Sequence, residues 1–405
     1  MRVIDADVVV TGRDEQPLSD GRLVVDDEGR IDAVGTQEDV GAPSEATHDS
    51  YPTVTPGLID AHVHLQGTRE MNPLVWTTES SELGTARATA DLRALLAAGF
   101  TAVRDVGSST GLGLRGAVAE GAIPGPRVFT SGQSISQTGG HGDSHFLPYE
   151  WAADGDDALA TLADGADECR KEARKRIRDG VDVLKIMTTG GVLSEKDAPD
   201  QSQFTDAEIR AFVEEAHRVG IPVASHAQGA PGIKAALRNG VDTIEHGFWV
   251  DEECLELFAE TGAIFVPTLS IMHRLLEHGS DHGVPDYGLE KAREASEAHS
   301  DSVRRAYEAG VPIATGTDFL GPELVPHGEN ALELELFVDE IGMSEHEAIQ
   351  AATRVAAETV PDDDIGTLEV GNRGDVLALV DDPRDDIGAI RNPETVYVDG
   401  TPIGS

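Results

Sequence analysis

The chain has 405 residues, two to three times a domain of about 150, and its hydrophobic residues, 39% of the total, are dispersed along its length, which excludes a disordered polymer. Its 74 acidic and 31 basic residues give a net charge of -43, which excludes nucleic acid as a partner because such a surface repels phosphates. No apolar run approaches the roughly 18 residues of a membrane span, and the opening MRVIDADVVV meets Asp5 before a leader-like stretch develops, so neither a membrane partner nor a secretory signal is expected.

Residues 1–55 read as short strands with turns. VIDADVVVTG and RLVVDDEGRIDAVG show β-branched alternation around a DDEG turn. From Pro56 to about Gly366, short apolar segments alternate with longer helical patterns. The expected strands are GLIDAHVHL (57–65), TAVRDVG (101–107), RVFTSG (127–132), VLKIMTTG (183–190), PVASHA (222–227), TIEHG (243–247), IFVPTL (264–269) and IATGTDF (313–319). Helical stretches such as DLRALLAAG and TDAEIRAFVEEAHRVG lie between most of them and close on a glycine, as a helix C-terminus does. Eight strands with intervening helices predict an α/β fold, a (β/α)8 barrel over residues 56–365, with its chemistry at the C-terminal ends of the strands. The tail repeats the pattern of the start, with GDVLALV and TVYVDGTPI strand-like. Neither terminal segment alone can bury both faces of a sheet, so residues 1–55 and 366–405 are expected to share one small β domain.

The acids are spread over the chain (Asp156, Asp157, Asp164, Asp167, Glu168; Glu252, Glu253, Glu256; Asp362, Asp363, Asp364), and only six of the basic residues are lysines. Self-repulsion on that scale is screened within about 3 Å at molar salt, so the composition reads as a cytoplasmic protein of a salt-loving microbe. Cys169 and Cys254 lie far apart without CxxC spacing, which indicates neither a disulfide framework nor a cysteine metal site and agrees with a reducing cytoplasm.

Four of the 14 histidines fall at or near predicted strand ends. His62 and His64 end the first strand two residues apart, so both face the barrel interior. His226 ends the fifth strand, His246 the sixth and Asp318 the eighth. Imidazoles and a carboxylate converging on one barrel mouth form a divalent-metal constellation, with zinc leading for a nitrogen-rich site. The competing reading is core histidines satisfied by hydrogen bonds, and it serves any one of them better than the set. Lys185, at the end of the fourth strand, is either a lysine snorkelling to water or an amine held neutral beside two cations. In the second case it can react with carbon dioxide to give a carbamate, a carboxylate on a long arm able to bridge two metals.

His-x-His on the first strand, Lys on the fourth, His on the fifth and sixth and Asp on the eighth resemble the binuclear amidohydrolase superfamily. VTPGLIDAHVHL, TAVRDVG, LKIMTTGGVLS, TIEHG and IGTLEVGNRGDVLALV resemble its branch of imidazolonepropionase-related and prolidase-like (Xaa-Pro dipeptidase-like) enzymes. The resemblance covers nearly the whole chain. It implies His62, His64 and Asp318 on one metal, His226 and His246 on the other, and carbamylated Lys185 and a hydroxide between them. Imidazolonepropionase itself resembles a one-metal enzyme without that lysine, so Lys185 argues for the prolidase-like side. The implied activity is hydrolysis of an amide or peptide-like C–N bond in a small substrate, a dipeptide or N-acyl amino acid, with Asp318 as proton shuttle. His141, in TGGHGD, is implied as a catalytic, carbonyl-polarising or substrate-contacting group. Several prolidase-like relatives carry a Tyr where this chain has Gln228, a departure that bears on the proline-dipeptide assignment and makes Gln228 a candidate substrate contact. His327 in PHGEN and Arg104 are further candidates for holding a substrate carboxylate, with pairing to Asp105 the alternative for Arg104.

Hydrolysis of a cyclic amide or imidazolone, deamination, and a non-enzymatic binding role remain open on the same fold, as does assembly into a homo-oligomer. Deamination has no use for Lys185, and a binding protein would be expected to lose ligands. Gly111, Gly113 and Gly116 form GxGxxG after a strand, but RVFTSG lacks the acid that would hold a ribose, so no dinucleotide is expected.

Overall fold

The computed structural model describes the chain except residues 14–15, 155–159, 193, 195 and 404–405, so Asp156, Asp157 and Leu193 lie outside the described residues. The N-terminal segment supplies β1 (Arg2–Val9), β2 (Leu18–Val25), β3 (Ile31–Thr36) and β4 (Thr47–Pro56). β4 runs straight into β5 (Leu58–Val63) through Gly57, where a Cβ would lie 2.2 Å from Thr101 Oγ1. Glycine there lets the first barrel strand settle against its neighbour.

The barrel continues with β6 (Phe100–Asp105), β7 (Arg127–Thr130), β8 (Ser134–Ser136), β9 (Ala160–Leu162), β10 (Leu184–Met187), β11 (Val223–Gly229), β12 (Thr243–Trp249) and β13 (Ile264–Val266). Pairing is parallel throughout, in the orders β5-β6-β7 and β13-β12-β11-β10-β8-β9. Every residue of β5, β6 and β11 is buried, as expected of strands covered on both faces, so their polar residues, among them Asp60, His62, Arg104 and His226, lie inside the protein. Intervening helices carry the expected punctuation. Thr205 and Glu208 make a reciprocal capping box on Asp206–His217, and the helices Ala166–Asp179 and Glu252–Thr261 stop at left-handed Gly180 and Gly262.

Two predicted strands differ in detail. The third, 127–132, is met by β7, which pairs with β6, while β8, which lies beyond it and pairs with β10, and β9 were not anticipated. The eighth, 313–319, is not a continuous strand. Isolated bridges from Ile313 to Phe265 and from Phe319 to Val63 close the barrel there. Asp318, in the left-handed region at φ 58°, turns the chain out of the extended path between the bridges, while Asp318 N–H still donates to the His62 carbonyl at 2.8 Å.

The C-terminal strands β14 (Val376–Leu379), β15 (Thr395–Val398) and β16 (Thr401–Pro402) return to the N-terminal ones. Together they form a seven-stranded sheet, ordered β16-β15-β14-β4-β1-β2-β3, in which β14 pairs antiparallel with β4. Its own core includes Ile4, Leu23, Val54, Leu368, Val376 and Tyr397. Among the described residues, no helix is long and apolar enough to cross a membrane.

The charge of -43 makes a prediction about this fold. The thermal unfolding midpoint is expected to rise steeply with potassium chloride up to molar concentrations, because screening relieves repulsion among surface carboxylates. A midpoint independent of salt, measured by circular dichroism, would remove the salt-adapted reading and leave the chemistry below untouched.

Candidate metal centre

Strand alternation and parallel register bring His62, His64, Lys185, His226, His246 and Asp318 around one cavity at the C-terminal end of the barrel. The ring centroids of His62 and His246 lie 5.0 Å apart, and those of His226 and His246 4.6 Å apart. His246, Thr268 and Asp318 all have positive φ, at 74°, 56° and 58°. Left-handed backbone at non-glycine residues costs about 1 to 3 kcal/mol each, and it concentrates here because it turns strand-end side chains into the mouth. Thr268 Oγ1 then lies 2.8 Å from His246 Nδ1.

Each imidazole has one nitrogen engaged by the protein. His62 Nδ1 is 2.6 Å from Glu245 Oε2, His64 Nδ1 is 3.1 Å from the Gly107 carbonyl, and His226 Nε2 is 3.0 Å from the Gly190 carbonyl. A carboxylate or carbonyl oxygen only accepts, so the ring proton sits on that side and the opposite nitrogen keeps its lone pair. For His62 and His64 that lone pair faces another acceptor, with Nε2 3.5 and 3.1 Å from Asp318 Oδ1. Acceptors in this arrangement repel unless a proton or a cation lies between them. His64 can supply a proton: burial works against it, but the hydrogen bond and charge of Asp318, with the charge of Asp105, raise its pKa above the ordinary value. His62 cannot, because burial, then the charge of Lys185, holds its pKa well below the usual imidazole value. Burial likewise keeps His226 and His246 neutral, reinforced by their neighbouring imidazoles and Lys185. One donor atom each from His62, His246 and Asp318 lies within 4.8 Å of the others, a spacing that fits one divalent ion. This trio draws on both of the sets that the family resemblance implied for separate metals.

Lys185, the second residue of β10, is 3% exposed. Burial drives its pKa down to about 8, against the opposing charges of Glu245 and Asp318. The snorkelling alternative does not fit a side chain enclosed in the barrel. Asp318 is held ionised: burial would raise its pKa, but the hydrogen bond and charge of His64, with the charge of Lys185, outweigh it.

His141 also lines the cavity, its ring stacked on His226 at 4.1 Å with 17° between planes. Its Nδ1 is 3.0 Å from Ser194 Oγ, and Ser194 donates to Asp197. With the hydroxyl proton committed to Asp197, the imidazole proton is donated from Nδ1 to Ser194 and Nε2 is the free atom. Gln228 is in the cavity wall as well.

Two expected substrate contacts are corrected. Arg104 is fully buried and is not part of the cavity wall. It donates to the Ala61 carbonyl, to Thr243 Oγ1 at 3.0 Å and to both Glu245 oxygens at 2.8 and 3.0 Å, so it spans the barrel interior and pairs with Glu245, not Asp105. Asp105 instead accepts from Leu65 N–H, Ser108 and Thr130. His327 lies behind His64, with Nε2 3.2 Å from the His64 carbonyl, and burial lowers its pKa to about 4, which leaves no charge for a substrate carboxylate.

Sequence reading missed the groups that orient these side chains. Glu245 fixes His62, and Asp60 accepts from His62 N–H, Thr317 and Asn330, tying β5 to the closing segment. Both are acids inside buried strands, and a charge in a strand covered on both faces requires a partner, which was the available signal.

A family model described as the amidohydrolase family matches residues 53–403. The chain is 34% identical over 421 residues to a protein of Aspergillus niger named ochratoxinase, across 97% of this chain and 84% of that one. The crystal structure of A. niger ochratoxinase superposes with a TM-score of 0.90 at 32% identity, covering 99% of this chain and 95% of that one. A Xaa-Pro dipeptidase with methionine bound in its active site superposes with a TM-score of 0.88 at 32% identity over the whole of both chains. An imidazolonepropionase of Rhizorhabdus wittichii is 27% identical over 396 residues, 90% of this chain and 88% of that one. With its barrel, composite sheet and strand-end imidazoles in place, the chain belongs to the amidohydrolase family and is a hydrolase acting on carbon–nitrogen bonds.

Proposed function

We propose that the chain hydrolyses an amide or peptide-like bond in a dipeptide or N-acyl amino acid. In this reading His62, His64, His226, His246 and Asp318 hold two divalent cations, zinc the leading candidate, and a carbamate on Lys185 lies between them. The observation that carries it is the facing of the His62 lone pair and the Asp318 carboxylate across 3.5 Å, which no proton of His62 relieves and a cation does. When bound, the cations supply Lewis acidity that lowers the pKa of water toward about 7 and polarises a carbonyl. Asp318, ionised at neutral pH, takes the proton of the attacking water and passes it to the leaving nitrogen. His141 presents Nε2 to the substrate as an acceptor when neutral and as a donor to the carbonyl oxygen when protonated. Glu245, Gly107 and Gly190 keep His62, His64 and His226 in the tautomers that ligation needs. Met71, Trp76, Phe146, Ile271, Met272 and Leu275 wall the outer cavity and favour an apolar substrate side chain.

Hydrolysis of a cyclic amide or imidazolone is the second reading, kept because imidazolonepropionases are among the relatives. A screen of dipeptides, N-acyl amino acids and ring amides, at molar potassium chloride with added zinc, separates the two. Turnover confined to ring substrates would refute the first.

Gentle purification is expected to leave about two divalent cations per chain. His62→Ala and His246→Ala should each lower that number in elemental analysis and abolish turnover. Full activity in protein shown to be metal-free would end this mechanism.

A further inference from the structure

Part of the segment that follows β10 is gathered around a single ammonium. Lys291, in the second turn of the helix Asp286–Glu308, directs Nζ at three backbone carbonyls, those of Gly191 at 3.1 Å, Ser194 at 2.6 Å and Asp197 at 2.8 Å. An ammonium has three N–H donors, and here each has an oxygen to meet. The chain has 74 acidic residues, and Lys175 and Lys234 pair with carboxylates, whereas Lys291 is given over to main chain. Without a cation, three carbonyl dipoles would converge with no donor between them.

The same residues hold His141. Ser194 Oγ lies 3.0 Å from His141 Nδ1, and the Ser194 hydroxyl donates to Asp197. Asp197 also accepts from Gly191 N–H and from Gln203 Nε2, each at 3.2 Å, and Gln203 Oε1 accepts from His141 N–H at 3.1 Å. Both the ring and the main chain of His141 are therefore bonded to one network. Gly191 closes it, because a Cβ there would lie 2.1 Å from His141 Cε1 and glycine alone lets the main chain approach the ring so closely.

Resting on the amide-hydrolase reading above, we propose that Lys291, which is outside the cavity wall, is a positioning residue that fixes His141 by ordering Gly191, Ser194 and Asp197. The ammonium sets the three carbonyls, these set the Ser194 and Asp197 side chains, and those aim the imidazole at the substrate. A catalytic group misplaced by about 1 Å costs on the order of 100-fold in rate. Slack in this network therefore acts on turnover without touching the metal ligands.

A cycle of four metal-loaded proteins tests this, using any amide that the wider screen shows to be turned over: wild type, Lys291→Met, His141→Ala and the double variant. Lys291→Met is expected to lower kcat at least ~10-fold with metal content unchanged, and to cost less than ~2-fold when His141 is already Ala. A lysine that serves stability alone would lower both backgrounds by the same factor, and that result would overturn the proposal. Full turnover by His141→Ala would overturn it too. Hydrogen exchange reads the link without turnover. The amides of His141 and Gly191 should exchange at least ~10-fold faster in Lys291→Met, with those of β11 and β12 at the wild-type rate. Unchanged exchange at both sites, or a rise spread evenly over the barrel strands, would overturn the proposal. If Lys291→Met does not fold, Lys291→Arg keeps the stem and the charge, but its planar fork cannot aim three donors at three converging carbonyls. Its loss of kcat should likewise vanish in the His141→Ala background, and an equal loss in both would overturn the proposal. If the loaded wild type hydrolyses no amide, the hydrolase reading fails and this one with it. An additive cycle in an active enzyme removes only the role of Lys291.

Discussion

Lys185→Ala is expected to retain no more than one of the two cations and to lose at least ~100-fold in turnover, because the side chain is assigned to the space between the metals. Enclosure disfavours the ammonium and brings the pKa from 10.5 to about 8. At pH 7 roughly a tenth of such an amine is neutral, against about one part in 3,000 at the unperturbed value, so the form that reacts with carbon dioxide is about three-hundredfold more available. In the proposed carbamate the amine nitrogen would bond to the carbon of carbon dioxide and release a proton, leaving a carboxylate, and cations held by the neighbouring imidazoles and Asp318 would offset the cost of burying that charge. Short carboxylic acids added to Lys185→Ala should enter the vacated space and restore part of both metal content and rate. A lysine serving packing alone makes the opposite forecast: truncation would change stability by perhaps 1 kcal/mol, leave both metals bound and respond to no added acid. Retention of two metals and normal turnover would remove the assignment at its centre. Intact mass under native conditions reads the carbamate directly, provided acid is avoided.

The site was legible where chemistry and periodicity coincide. His62 and His64 stand out because two imidazoles at alternate positions must share a strand face, and Lys185 because lysines are so few in this chain. The barrel itself was legible from short strand-like segments that alternate with longer helical patterns ending on glycine. The eighth strand misled because IATGTDF has strand composition, whereas its pairing is interrupted by a left-handed Asp318 that only tertiary contacts maintain. Arg104 misled for a related reason. From sequence, a lone arginine at a barrel strand near the mouth suggests an anion site, and its nearest acid is Asp105. In the parallel barrel, adjacent residues point to opposite faces, so Asp105 is turned toward Ser108 and Thr130 while Arg104 crosses the interior to an acid 141 residues away. That distance is invisible to any local rule.

Arg104→Met is accordingly expected to act on stability and metal affinity, with no selective effect on the binding of substrate carboxylates. Arg104 and Glu245 are both fully buried, and removing the guanidinium leaves Glu245 as an uncompensated charge inside the barrel, at a cost of about 3 to 5 kcal/mol. Glu245 also accepts from His62 Nδ1, so a carboxylate that shifts or becomes protonated frees the ring to turn or change tautomer, and metal affinity should drop about 10- to 100-fold. The double variant Arg104→Met with Glu245→Gln separates these two effects. It removes both charges together, and the Gln oxygen can still accept from His62. Chemical denaturation should show it more stable than Arg104→Met alone, since deleting a buried pair costs far less than breaking it. Metal titration should place it within a few-fold of the wild type, because the His62 tautomer survives. If Arg104→Met instead unfolds like the wild type and raises KM only for substrates bearing a free carboxylate, then Arg104 contacts substrate, and the pairing with Glu245 is not what holds His62 in place.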